Sequence, residues 1–477
     1  MSSVKKTTKN AGIYGIAQIL QACIGFSLLK VYTEHLTPSD YGIINMVTAV
    51  TGFLGMFYLF GLQGAISKYY YEYVDDEKLF NKFIGTIITT VLMISLILTL
   101  FLFSTHKFIL DKRLEKINFY PYMAIGLLTV AFSTIFPIYQ GILQMQHKAK
   151  KYVIQQVTVF LVTILLNIFF IVNMKLGAMG LLLSSLIVTI TTFIYAIIML
   201  NKFIKWTLDK NIMVKSLKYA LPLVPHTLAS WVSNLADRFI LNKLKNLDLV
   251  GIYGIGYQFG NIINMAAGAV NSAFVPWFFY VMKDRKSDKN QIYKFGTAFV
   301  SVYSLGALWL SILSPYIFKI MISKSYYSAV ACIPYIAFAN VFNGVYYFFV
   351  SGLFYNKTGT KYIFITSTIS AGVNVILNFL LIPKYEIIGA SLATLISFAL
   401  TSIMVLCLSK IINKENDLKW KYKTMYFIVI ISMIFTYTIK EIQLNFIGNL
   451  CLLLISTMIV YFVSGLKFKD IMNFKKG

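Results

Sequence analysis

A chain of 477 residues that is 58% hydrophobic and only 13% charged cannot coat a soluble fold, for which about 25% charged residues is ordinary. Its 43 Lys and Arg against 18 Asp and Glu leave a formal net charge of +25. An ordinary soluble enzyme is excluded, and a mean hydropathy of +0.72 directs the basic charge to a membrane, with no nucleic acid partner.

Apolar runs of about 20 residues, the length that crosses a ~30 Å hydrocarbon core, recur along the chain. The first six are 12–34, 42–65, 83–105, 119–143, 153–173 and 178–201. The next six are 218–242, 250–277, 295–318, 331–355, 362–382 and 387–409, followed by 424–440 and 446–466. Backbone in lipid must satisfy its own hydrogen bonds, which leaves helices or a closed barrel. Continuous runs rather than ten-residue alternation exclude the barrel. The expected fold is an all-α polytopic membrane protein of about fourteen transmembrane helices.

The loops orient it. With the N-terminus inside, 30 of the 43 basic residues fall on the cytoplasmic side, 11 fall outside, and Lys30 and Arg238 lie within spans. That bias places both termini in the cytoplasm. The first run is too long for a signal peptide and is read as a retained span. Cys23, Cys332, Cys407 and Cys451 all lie within spans. They read as small apolar core residues, neither a disulfide framework nor a metal site.

The halves repeat at an offset of about 210. Gly42 after the first span matches Gly251 after the seventh, Lys151-Tyr152 matches Lys361-Tyr362, and Leu166-Asn167 with Gly180 matches Leu377-Asn378 with Gly389. Six spans separate the copies, so both enter the membrane in the same direction, as in transporters built from parallel repeats. Residues 1–205 form an N-terminal six-helix lobe, 206–412 a C-terminal six-helix lobe, and 413–477 an appended helix pair with a basic cytoplasmic tail.

Polar residues at helical spacing mark candidate sites. In span 7, His226, Ser230, Ser233, Asn234 and Asp237 share one face, with Arg238 adjacent and Pro222 and Pro225 breaking the helix near its start. Span 8 carries Tyr257, Asn261, Asn264, Gly268 and Asn271; span 10 carries Asn340, Asn343, Tyr347 and Ser351; span 1 carries Tyr14, Gln18, Gln21 and Gly25. Such residues either line a hydrated cavity or tie helices together through hydrogen bonds of about 0.6 kcal/mol each. Ionised groups cost at least ~2.5–3.5 kcal/mol at a span centre and need a pair, a cavity or a function. Asp237 and Arg238 are either a structural pair or a site; lying about 100° apart on a helix, they are expected to have separate partners. Lys30 either snorkels or is neutralised by Glu34 four residues on. His226 is either a hydrogen-bonding core histidine or a proton relay.

No G-x-x-x-x-G-K-[ST] phosphate loop, zinc spacing or D-x-D loop occurs. No enzyme activity, cofactor or metal is expected, and a duplicated helical bundle points to transport.

The stretch Ala17-Gln18-Ile19-Leu20 to Gly25-Phe26, then Leu36-Thr37-Pro38-Ser39-Asp40-Tyr41-Gly42 and Phe60-Gly61-Leu62, resembles the opening of the Wzx-type polysaccharide-repeat-unit flippases. These belong to the multidrug/oligosaccharidyl-lipid/polysaccharide exporter superfamily. In the second half, Pro222, Pro225, Asp237-Arg238 and Val250-Gly251-Ile252-Tyr253 agree. The resemblance implies two pseudo-symmetric six-helix lobes plus a helix pair, as in MATE and MurJ proteins, in a bacterial cytoplasmic membrane. It also implies translocation of an undecaprenyl-diphosphate-linked oligosaccharide by alternating access, for O-antigen or capsule biosynthesis. Arg238 and Lys30 become the diphosphate-binding candidates. Gln18, Gln21, Ser230, Asn234, Tyr257, Asn261, Asn264, Asn271, Asn340 and Asn343 become the sugar and cavity candidates. Asp237, His226 and Glu34 are candidates for coupling to H+ or Na+. The bilayer, glycosyltransferases and a polysaccharide polymerase are the implied partners. A lipid II flippase of the MurJ type and a MATE-like multidrug exporter are the alternatives.

Overall fold

The computed structural model describes residue 21 and residues 24–112, 114, 116–202, 204–283, 289–355, 360–412, 420–442 and 444–465, without the side chains of Leu223, His226, Thr360 and Lys361. Every regular element among the described residues is helical. The chain falls into two compact units, 1–242 with 246–251, and 243–245 with 252–477.

The first unit contains α1 (Leu29–His35), α2 (Pro38–Leu59), α3 (Leu62–Tyr73), α4 (Glu77–His106), α5 (Ala124–Phe132), α6 (Ile135–Met145), α7 (Ala149–Ile168), α8 (Ala178–Asn201), α9 (Lys210–Ala220) and most of α10 (Val224–Leu244). Thr37 opens α2 with a capping box: Asp40 N donates to Thr37 Oγ1 at 3.2 Å and Thr37 N donates to Asp40 Oδ2 at 2.9 Å. Pro38 occupies the first helical position, where its missing N–H is not needed. Phe60 and Gly61 adopt left-handed conformations (φ 42° and 71°), so α2 ends short of the expected limit at 65 and α3 leaves as a separate helix. A 3-10 turn at Leu221–Leu223 separates α9 from α10 beside Pro222 and Pro225, the break expected from those prolines. Phe83, Ile84, Ile87 and Ile88 of α4 form a core with Ile135 and Ile138 of α6, Ala196 of α8 and Ile66 of α3.

Residues 206–242 pack with this first unit rather than with the second. Asp209 pairs with Lys82 at 2.5 Å, Lys215 with Glu72 at 2.6 Å, and Trp231 Nε1 donates to the Ala49 carbonyl at 3.0 Å.

The second unit contains the rest of α11 (Leu247–Gly260), then α12 (Ile262–Lys283), α13 (Asn290–Met321), α14 (Ile333–Tyr355), α15 (Thr360–Ile412), α16 (Tyr422–Ile442) and α17 (Phe446–Ser464). Its central strut is α14, buried at nearly every position from Ile333 to Leu353. Phe348 and Phe349 of that helix meet Phe274, Phe295 and Trp420. The C-terminal pair is tied to α13: Trp309 Nε1 donates to Thr457 Oγ1 at 2.9 Å and Asn449 Nδ2 to the Tyr316 hydroxyl at 2.9 Å.

Eleven helices among the described residues are long and apolar enough to cross a membrane. Three runs account for the difference from fourteen. Tyr362–Ile412 holds two spans, divided where Glu386 leaves helical geometry. The run 12–34 begins outside the described residues, and α10 is too polar to be counted.

The repeat is visible in backbone conformation, always at 209 residues. Asn246 Oδ1 accepts from Leu249 N at 2.9 Å, as Thr37 caps Asp40. Gly177 (φ 56°, ψ −137°) and Glu386 (φ 51°, ψ −124°) share a conformation that suits glycine. A Cβ on Gly42 would strike the Leu247 carbonyl oxygen, and one on Gly251 would strike that of Pro38. The two helix starts therefore cross reciprocally, each glycine admitting the other helix's first residue.

Candidate functional site

Most spans turn apolar side chains outward. Exposed positions are Leu96, Ile97, Leu100 and Phe101 on α4, Ile365, Ile369, Ile376 and Leu380 on α15, and Leu454, Ile455, Met458 and Phe462 on α17. These are faces for lipid tails. In contrast, α1 exposes Lys30 and Glu34, with Ser27 exposed just before it, at i, i+3 and i+7. Likewise α10 exposes Pro225, Thr227 and Ser230, with Asn234 half-buried one turn further. Between Pro222 and Lys243 no large apolar side chain is exposed among those described. Polar and charged surface within a span is costly against hydrocarbon, so these faces differ in kind from the apolar ones.

Below the polar face of α10 lies a buried ion pair. Asp237 is 1% exposed and Arg238 5%. Asp237 Oδ1 accepts from the Arg238 backbone N at 2.8 Å and from Arg238 Nη1 at 3.0 Å. The same Nη1 donates to the Asn234 carbonyl at 2.7 Å. Beyond any separate partners, the arginine is long enough to fold back along its own helix and meet its neighbour's carboxylate. Ring contacts of Trp231 with Phe53 at 5.1 Å and Phe239 at 5.6 Å seat this helix. Lys116 Nζ donates to the Asn242 carbonyl at 2.8 Å, placing a cation at the carbonyl-rich end of α10.

The other span residues separate into exposed and structural. Lys30 and Glu34 are both exposed, and the ion pairs among the described residues do not join them, so their i, i+4 spacing is not used for neutralisation. Gln21 is half-buried. Gln18 and Tyr14 lie outside the described residues, as does the His226 side chain. Tyr257 and Asn271 are half-buried, and Asn261 stands at the joint of α11 and α12, its backbone N donating to the Tyr257 carbonyl at 2.8 Å. Asn343 Nδ2 donates to Asn264 Oδ1 at 2.8 Å and to the Tyr347 hydroxyl at 3.3 Å. Asn340 is 2% exposed and donates to the Gly260 carbonyl at 3.1 Å. It ties α14 to the end of α11 rather than facing water, which corrects its reading as a cavity residue. Cys332 is buried, but Cys407 and Cys451 are exposed on helices whose outer faces are apolar. Those two are surface positions, not core; Cys23 lies outside the described residues.

One polar network escaped the sequence reading. Within α15, Asn378 Nδ2 donates to Asn374 Oδ1 at 2.9 Å, Asn374 Nδ2 to Ser397 Oγ at 3.1 Å, and Ser370 Oγ to the Ser397 carbonyl at 2.8 Å. Thr401 Oγ1 closes the set on Ser370 Oγ at 2.6 Å. The signal was present as two i, i+4 pairs, Asn374/Asn378 and Ser397/Thr401. In the first unit Asn167, the repeat partner of Asn378, donates to the Tyr32 hydroxyl at 3.1 Å.

Comparison with known proteins places this architecture. Residues 7–282, more than half of the chain, match the family described as polysaccharide biosynthesis protein. An uncharacterized membrane protein of Methanocaldococcus jannaschii is 27% identical over 380 residues, covering 76% of this chain and 88% of the relative. Among solved structures, the lipid II flippase MurJ in its inward closed conformation superposes with a TM-score of 0.74 at 18% identity, over 96% of this chain and 99% of that one. An inward-facing MATE family multidrug resistance transporter gives 0.63 at 14% identity, over 82% and 94%. The chain belongs to the polysaccharide biosynthesis protein family and has the all-α polytopic fold of the MurJ and MATE proteins.

Proposed function

We propose that the chain is a flippase that moves undecaprenyl-diphosphate-linked oligosaccharide repeat units from the cytoplasmic to the outer leaflet of a bacterial cytoplasmic membrane. It works by alternating access and serves surface polysaccharide biosynthesis. The observation that carries this reading is the polar exposed surface of α1 and α10 at span depth, set against the apolar outer faces of α4, α15 and α17. A lipid-linked glycan needs a wet path for its sugars, hydrocarbon for its tail and a cation for its diphosphate. Lys30, the exposed cation of α1, is the first diphosphate contact. Arg238 is the second, reached only when the packing around α10 opens, and its guanidinium suits two-point phosphate binding. Gln21, Ser230, Asn234, Tyr257, Asn261 and Asn271 are the sugar contacts. Asp237, Glu34 and His226 are the groups through which an H+ or Na+ gradient couples. Glycosyltransferases supply the cargo and a polymerase consumes it. Exposed Glu34 favours one second reading, a MATE-like exporter of organic cations.

The test is reconstitution. Proteoliposomes carrying a fluorescent undecaprenyl-diphosphate oligosaccharide are scored for its arrival in the opposite leaflet with a membrane-impermeant lectin. Lys30→Ala is expected to lower the rate at least tenfold and Lys30→Arg to retain most of it. An unchanged rate in Lys30→Ala removes the anchor. Absence of glycolipid transfer together with saturable organic-cation transport assigns the chain to the multidrug reading.

A further inference from the structure

Residues 204–221 lie between α8 and α10, the last four of them set apart from the rest of the expected span 218–242 by the 3-10 turn at Leu221–Leu223, and their two sides differ in chemistry. Ile212, Ser216 and Ala220 of α9 are buried. Lys210, Val214, Lys218 and Leu221 are exposed and follow i, i+4, i+8 and i+11, a single stripe roughly opposite the buried one at 100° per residue. Just before the helix, Lys205, Trp206 and Leu208 are exposed as well.

The inner side is strapped to the first unit. Asp209 pairs with Lys82 at 2.5 Å, and its backbone N donates to Thr86 Oγ1 at 3.3 Å. Lys215 bonds Glu72 at 2.6 Å and lies over the rings of Tyr69 and Tyr73 at 4.6 and 5.3 Å. These ion pairs and ring contacts hold the strap without the ammonium groups of Lys205, Lys210 and Lys218, all three of which are exposed residues.

We propose that the outer stripe is an interfacial anchor that lies on the bilayer surface and binds anionic phospholipid headgroups. Three facts select this occupant. One end of the segment is the candidate span α8 and the other is the helix read from the sequence as span 7, which keeps it near headgroup depth. Exposed Trp206, Leu208, Val214 and Leu221 are unfavourable in open cytosol and suited to the headgroup–acyl boundary, where tryptophan concentrates. The interleaved lysines complement a negative leaflet, each strengthening association about fivefold near such a surface. On the lysine distribution this is the cytoplasmic leaflet. The inference stands apart from the cargo assigned above.

The experiment uses the full chain in nanodiscs of phosphatidylcholine alone or with one third phosphatidylglycerol, read by hydrogen exchange of residues 205–221. Exchange is expected to be well over tenfold slower with phosphatidylglycerol. The triple variant Lys205→Gln, Lys210→Gln, Lys218→Gln is expected to lose that difference while matching the parent in phosphatidylcholine. Lys148→Gln with Lys150→Gln, exposed lysines elsewhere, is expected to keep it. Should the triple variant unfold the strap, Lys218→Gln alone is expected to reduce the protection by about fivefold. Equal exchange in both discs, as for a protein-binding surface, overturns the proposal. So does a lipid dependence that survives in the lysine variants.

Discussion

Removing one member of the Asp237–Arg238 pair takes the opposite charge away from a buried ion in the helix. The carboxylate Oδ1 holds both the backbone N–H and the Nη1 of Arg238, and the two residues are 1% and 5% exposed. Truncating one partner of such a buried pair costs about 3–5 kcal/mol, whereas replacing both with neutral groups is often close to neutral. Asp237→Asn and Arg238→Gln are each expected to lower thermal stability in detergent by an amount in that range. The double variant is expected to recover most of the loss, so the two single effects are strongly non-additive. Stability is followed by fluorescence-detected size exclusion after heating, and flipping by the lectin assay. If Arg238 also touches the diphosphate, the double variant regains stability but not transport. Additive single effects would refute the pairing; a stable double variant that flips normally would leave Arg238 purely structural.

Gly42→Ala and Gly251→Ala each force a Cβ against a backbone carbonyl of the crossing helix, and each is expected to destabilise by about 1–3 kcal/mol. Gly141→Ala, with nothing within 4 Å, is the neutral control in the same melt. Glu386 holds a glycine-like conformation at φ 51°, so Glu386→Gly relieves about 1–3 kcal/mol of strain. Against that stand a 3.1 Å bond to Lys245 worth about 0–1 kcal/mol and about 0.5–1 kcal/mol of backbone entropy. A net gain near 1 kcal/mol is expected, read as a higher melting temperature. The hydrogen bond and charge of Lys82 hold the Asp209 carboxyl below its ordinary value of 3.8. Its contribution is therefore complete above that value and is lost as pH falls through the lower folded one. Protection of residues 205–212 from proteolysis should be flat from about pH 7 to 5 and weaken only below about 4, and Lys82→Gln should abolish that step. In a background lacking the native cysteines, cysteine at Ser230 is expected to react with a small polar thiol reagent and cysteine at Asn340 to stay protected. Asn340→Ala is expected to cost about 0.6–1.7 kcal/mol in stability.

The spans, the proline break at Pro222 and Pro225, and the 209-residue repeat were legible because each rests on a periodicity or a backbone constraint. The break at Phe60 and Gly61 was not, since a left-handed phenylalanine leaves no compositional mark. Asn340 and Ser230 carried the same signal, a polar residue at helical spacing. Only packing separates the one that donates to Gly260 from the one that is exposed. Cys407 and Cys451 were misplaced for a related reason: a lipid face and a protein core are equally apolar, so sequence gives them one appearance. The bond from Arg238 to its neighbour's carboxylate depended on side-chain reach, which spacing around a helix does not encode.

The most direct test of the central claim is leaflet-to-leaflet transfer of undecaprenyl-diphosphate oligosaccharide by the purified chain in proteoliposomes. Protein-dependent exposure of the glycan to an impermeant lectin, lowered at least tenfold by Lys30→Ala, is the expected result. A rate equal to that of protein-free vesicles, with the chain folded and inserted, would contradict it.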